Sequence, residues 1–126
     1  MREVLAVGLG GFLGALARYG LASLAHRVLG AGFPVGTLAV NLVGCAAMGA
    51  LAWFVEEREL GSPELRLFAR VGFLGSLTTF SAFGHETVLL LRQEQWLHAG
   101  LNVGLNVAAG LLAVIGGWAA ARWLAA

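Results

Sequence analysis

The chain has 126 residues, 59% of them hydrophobic and 12% charged, with a mean hydropathy of +0.81. A soluble domain of this size is nearer half apolar and a quarter charged, so the balance points to an integral membrane protein. A net charge of +1, built only from Arg and Glu, gives no reason to expect a nucleic-acid partner, and the single cysteine, Cys45, excludes an internal disulfide and reads as a small packing residue.

The first apolar segment runs from about Val4 to about Ala25. It is too long, and too continuous with later spans, for a cleaved signal. Gly10 and Gly14 stand four apart, the spacing that lets a neighbouring helix approach closely. The glycine run is one residue off a dinucleotide-binding pattern and has no strand or ribose-binding acid with it. Arg18, near the end of the segment, either snorkels to the interface or places a positive charge at a water-filled mouth that draws anions. A short loop, His26 to Gly32, follows, and Pro34 suits the first turn of the next helix. Segment two runs to about Val55 without a charge, and about 20 residues are enough to span a bilayer. Thr37 and Asn41 share one of its faces. Thr37 taken alone is expected to bond back to its own helix. Asn41 needs partners for two donors and an acceptor, so it bridges to another helix or faces a polar pathway.

The stretch Glu56 to Glu64 is a solvated connector. Segment three extends from about Leu65 to about Leu91, with Arg70 near its start, and contains GFLGSLTTFSAFGHE, Gly72 to Glu86. In hydrocarbon every backbone group must be satisfied internally, so small and polar residues there carry a cost. Gly72 and Ser76 would suit a close helix contact. A sharper reading is a broken helix in which Gly75-Ser76 ends one half and Thr78-Thr79 starts the next, tolerated where freed backbone groups line a cavity or bind an ion. That makes this stretch the working part of a transport protein. Segment four starts at Trp96, an interfacial anchor matched by Trp118 and Trp123 at the far end. Asn102 and Asn106, four apart and followed by Gly110, present amides and then a gap, either as interhelical glue or as part of a polar path.

Four spans put both termini on one side. That side carries Arg2, Arg58, Arg66 and Arg122, with Arg70 at the edge, against Arg18, Arg27 and Arg92 on the other. So weak a bias permits insertion in both orientations and an antiparallel homodimer. A chain this small has little room for a pore of its own, so a permeation path needs a dimer. The mid-segment groups are hydroxyls, amides and phenyl rings, without the carboxylate ring a cation pore uses. Hydroxyl and amide donors suit a small, hard anion, and the ring edges of Phe80 and Phe83 carry partial positive charge. Composition alone gives a small oligomeric membrane transporter or channel. A proton-coupled multidrug exporter, the alternative, needs a membrane-embedded carboxylate, and only Glu3 and Glu86 lie within a span. A non-transporting assembly subunit would leave the clustered donors unexplained. No nucleophile–base pair or metal-ligand spacing suggests an enzyme.

GGFLGALARY (Gly10 to Tyr19), GTLAVNLVG (Gly36 to Gly44) and GFLGSLTTFSAFGHE resemble the three signature stretches of the Fluc (CrcB) fluoride channels, in order and spacing, over nearly the whole chain. The resemblance implies an all-α membrane protein, residues 1–126 forming one four-helix subunit of a dual-topology homodimer in the (inner) cell membrane. It implies two pores per dimer that export toxic fluoride passively, and a structural Na⁺ held at the dimer centre by the backbone carbonyls of Gly75 and Thr78. Phe80 and Phe83 match the family's phenylalanine box, Asn41 its pore asparagine and Thr37 its segment-two threonine. Thr79 and Ser81 fall in the hydroxyl-bearing motif. Glu86 matches a carboxylate near one pore mouth and Arg18 the arginine at the other vestibule. Asn102, Asn106 and Gly110 depart from the tyrosine and serines usual along segment four, yet the amides can still donate to fluoride. His85 replaces a usually small polar residue.

Overall fold

The computed structural model describes residues 1–126 and is helical throughout, without strands. Helix α1 is Arg2–Leu29 and α2 is Val35–Glu57. Helix α3 covers 63–77, α4 is Phe80–Arg92, and α5 is the long span Trp96–Leu124. Taken with α3 and α4 as a single span, Pro63–Arg92, four helices are long and apolar enough to cross a membrane.

The ends follow local chemistry. Helix α1 continues to Leu29, past the expected end near Ala25, because its stop is Gly30. There φ is +86° and the N–H donates to the His26 carbonyl at 3.0 Å. His26 and Arg27 in its last turn complement the helix dipole. Pro34 stands one place before α2 rather than in its first turn. Helix α3 starts at Pro63, two residues earlier than the polar loop suggested, because Ser62 Oγ accepts from the Leu65 N–H at 3.2 Å and Pro63 has no N–H to satisfy. The Arg66 guanidinium closes the preceding loop by donating to the carbonyls of Glu59 at 2.8 Å and Gly61 at 3.1 Å. Glu56 and Arg70 form an exposed ion pair at 3.9 Å, a weak contact at best.

Two stretches are wound wider than an α-helix, 68–74 in α3 and 105–109 in α5. Such π-type turns accommodate one extra residue and gather at functional positions. In α3 the helical turns continue through Leu77, so Gly75 and Ser76 do not end them as expected. The two residues that follow are extended, Thr78 at φ −80°, ψ 156° and Thr79 at φ −149°, ψ 114°.

The interior is thin: only 19 of 126 residues are buried, and most large apolar side chains point outward, as lipid-facing residues do. Val40, Leu74 and Leu77 form the central apolar cluster. Helix α3 lies along α1 at backbone contact. A Cβ at Gly10 would strike the Phe68 carbonyl and one at Gly14 the Phe73 carbonyl, while one at Gly72 would come within 2.7 Å of the Val7 carbonyl. The spacing of Gly10 and Gly14 thus serves the close approach it suggested. Helices α2 and α5 meet in the same manner at Gly49 and Gly117.

Candidate functional site

The polar side chains converge where α3 gives way to α4. Because Thr79 is extended, its N–H and C=O point the same way, and both face Asn41 on α2. The Thr79 N–H donates to Asn41 Oδ1 at 2.8 Å, and Asn41 Nδ2 donates to the Thr79 carbonyl at 3.2 Å. Asn41 Nδ2 also donates to Asn106 Oδ1 at 2.8 Å. Asn106 Nδ2 donates in turn to the carbonyl and Oδ1 of Asn102 at 2.9 and 3.0 Å. Asn102 is fully buried and donates to the Thr87 hydroxyl at 2.9 Å, which donates to the Phe83 carbonyl at 2.8 Å. Four segments, α2, the interruption, α4 and α5, are tied by one ladder of amides. Sequence reasoning passed over Thr87, whose only signal was a lone hydroxyl in the apolar run TVLLL.

Thr79 also caps α4: its Oγ1 accepts from the Ala82 N–H at 3.2 Å. The hydroxyls of Thr79 and Ser81 lie 3.3 Å apart, and whichever donates to the other, one proton of the pair stays uncommitted. The N-terminal end of α4 therefore opens between the spans, and the N–H groups of Phe80 and Ser81 have no side-chain partner. An α-helix N-terminus carries about half a positive charge, which favours anions.

A cavity of about 280 Å³ opens beside this end, lined by Asn41, Cys45, Thr79, Phe80, Phe83 and Asn106 among others. The rings of Phe80 and Phe83 meet edge to face with centroids 5.4 Å apart. Phe83 is buried, whereas Phe80 stands on the outer surface, 82% exposed, with Ser81 exposed beside it. Cys45 Sγ occupies the space beside Gly110, 3.6 Å from where a Cβ would be. A second cavity of about 420 Å³, lined by Arg18, Thr37 and Thr79, lies on the other side of the interruption. Thr79 belongs to both. Thr37 does not bond back to its own helix; its hydroxyl donates to Glu86 Oε1 at 2.6 Å, because a carboxylate on α4 is a stronger acceptor than a helical carbonyl already in use. Glu86 Oε2 is buried without a partner, and Glu86 and His26 line a third cavity of about 400 Å³ toward the α1–α2 loop.

Asn41, Thr79, Phe80, Phe83, Asn102 and Asn106 are therefore brought together, and Thr37 pairs with Glu86. Arg18 reaches Thr79 only across the second cavity. Gly75 is exposed and has no part in the ladder; Thr78 is turned back on α3, its Oγ1 donating to the Leu74 carbonyl at 3.1 Å. His85 is exposed.

Residues 5–118 match the family model described as CrcB-like protein, Camphor Resistance (CrcB). The chain is 42% identical over 120 residues to a protein of Sorangium cellulosum named fluoride-specific ion channel FluC, covering 95% of this chain and 94% of that protein. Proteins of the same name from Shewanella halifaxensis and Shewanella pealeana are 47% and 48% identical over 107 residues, 85% of this chain and 86% of each.

Proposed function

The chain belongs to the CrcB-like family, and from that membership we infer that it is a fluoride-specific ion channel, a multi-pass membrane protein and not an enzyme. The observation that carries the reading is the cavity at the interruption, where the positive end of α4, the Thr79–Ser81 hydroxyl pair and the edges of Phe80 and Phe83 meet. A fluoride ion leaving water needs donors that replace its hydration shell. One uncommitted hydroxyl proton, the first N–H groups of α4 and two ring edges are such donors. Arg18 raises the anion concentration on the far side of Thr79, and Thr79, which faces both cavities, passes the ion between them. In keeping with a channel, the ion moves passively down its gradient, and in the cell's inner membrane it leaves the cytoplasm.

The working unit is an antiparallel homodimer with two pores, its subunits inserted in opposite orientations. The exposed Phe80 ring and the exposed Ser81 and Gly75 support this, because they leave one side of the path open until a second copy covers it. The near-even arginine count supports the opposed orientations. A structural Na⁺ between the copies fits the backbone here. In a continuous helix the Gly75 carbonyl would accept from the Thr79 N–H and the Thr78 carbonyl from the Ala82 N–H. Those donors go to Asn41 and to Thr79 Oγ1 instead, freeing two oxygens of the kind a hard cation takes. The ion would neutralise these carbonyls and lock the two copies together.

Reconstituted protein should release fluoride from loaded liposomes, as read by a fluoride electrode. Phe80→Ile and Phe83→Ile should each abolish release while the protein still elutes as a dimer. No release above empty vesicles by the unmutated protein removes the channel reading; full release by both variants removes the rings from the path.

A further inference from the structure

Thr87 lies on α4 outside the cavities described above, so it does not meet a permeating ion there. Its place is at the end of the amide ladder, and the two ends of that ladder fix its direction. At one end the Thr79 N–H can only donate, so Oδ1 of Asn41 faces it and Nδ2 faces Asn106. At the other end the Phe83 carbonyl can only accept, so the Thr87 proton points to it and a lone pair faces Asn102. Between them Asn106 Nδ2 donates to two oxygens of Asn102, its carbonyl and Oδ1. No amide in the series can turn over without setting two donors or two acceptors against each other, a mismatch that is costly away from water. Both protons of Asn41 Nδ2 are likewise committed, one to Thr79 and one to Asn106. The Asn41 and Asn106 amides therefore hold the site in shape rather than offering hydrogens to the ion.

Resting on the channel reading, we propose that Thr87 is a positioning residue of the permeation path. Its hydroxyl anchors Asn102, and through Asn102 and Asn106 it steadies Asn41 in the pose that the Thr79 N–H selects, and so holds the Thr79 backbone at the interruption without touching the ion. A threonine bonding only to its own helix would do none of this; what distinguishes Thr87 is that it also accepts from Asn102, the one member of the ladder with no exposed surface.

The test compares fluoride release from liposomes by the unmutated protein, Thr87→Val and Thr87→Ser. Valine keeps the shape and removes the hydroxyl; serine keeps the hydroxyl and loses a methyl. Thr87→Val should slow release by about tenfold, the factor one buried hydrogen bond commands, and should weaken discrimination against chloride, whereas Thr87→Ser should stay near the unmutated rate. Should the valine variant not elute as folded protein, Thr87→Ala takes its place in the comparison. Unchanged release by the hydroxyl-free variant overturns the proposal, and so does equal slowing by the serine variant. If the unmutated protein releases no fluoride, the channel reading itself fails, an outcome separate from either.

Discussion

The two sides of this protein are held together by different means. Along α1 and α3 the helices touch backbone to backbone through Gly10, Gly14 and Gly72, with no side-chain hydrogen bond between them. Among α2, α4 and α5 near the interruption, asparagines and a threonine bridge the helices, and a cavity of about 280 Å³ stays open beside them. In lipid, where apolar burial does not drive helices together, close packing and polar bridges are the two available forces. The glycine side uses the first and leaves no space; the amide side uses the second and keeps space for an ion. One is a wall and the other a lining.

The glycine wall is most vulnerable at Gly14. Gly14→Leu would drive a side chain into the Phe73 carbonyl, an overpacking that costs about 3 kcal/mol or more. Loss of the monodisperse peak in size-exclusion chromatography is the expected result, and a folded variant would show that this wall yields. Asn41→Asp should act on function instead. It removes the donor that serves the Thr79 carbonyl and Asn106 and sets a negative charge against an anion path, so the folded protein should lose nearly all fluoride release in the electrode assay. The smallest effect belongs to Gly110. A Cβ there would meet Cys45 Sγ at an ordinary 3.6 Å, so Gly110→Ala should leave release unchanged and raise stability by about 0.5–1 kcal/mol, read as a small upward shift in thermal unfolding. A loss of flux there would put position 110 inside the path.

What could be read from the chain alone follows the same division. Periodicity and length located four spans, and the Gly10–Gly14 spacing pointed to a close contact, because these are properties of one helix and its surface. Asn41 was singled out because a buried amide must find partners. Lateral partners were beyond reach. Thr37 bonds to Glu86, which is 49 residues away, rather than to its own turn, a choice made only once α2 and α4 lie side by side. Helix α3 continues through Gly75 and Ser76, where the Gly75 N–H donates to the carbonyls of Arg70 and Gly72 and the Thr78 N–H to that of Leu74. The chain straightens at Thr78 and Thr79 because Asn41 offers Thr79 a pair of hydrogen bonds there. Thr87 shows in the sequence only as a lone hydroxyl in an apolar run, since its importance depends on Asn102 from the next span.

The pairing of Asn41 with Thr79 has a consequence for which of the two positions is free to vary. The amide copies a neighbouring peptide unit: it forms with an extended residue the reciprocal rung that an adjacent β-strand would supply, in a protein that has no strands. Such a rung reads only main chain, so serine in place of Thr79 would leave it whole. At position 41 the same economy allows no substitute, since glutamine overshoots by a methylene, aspartate lacks the donor and serine lacks the reach.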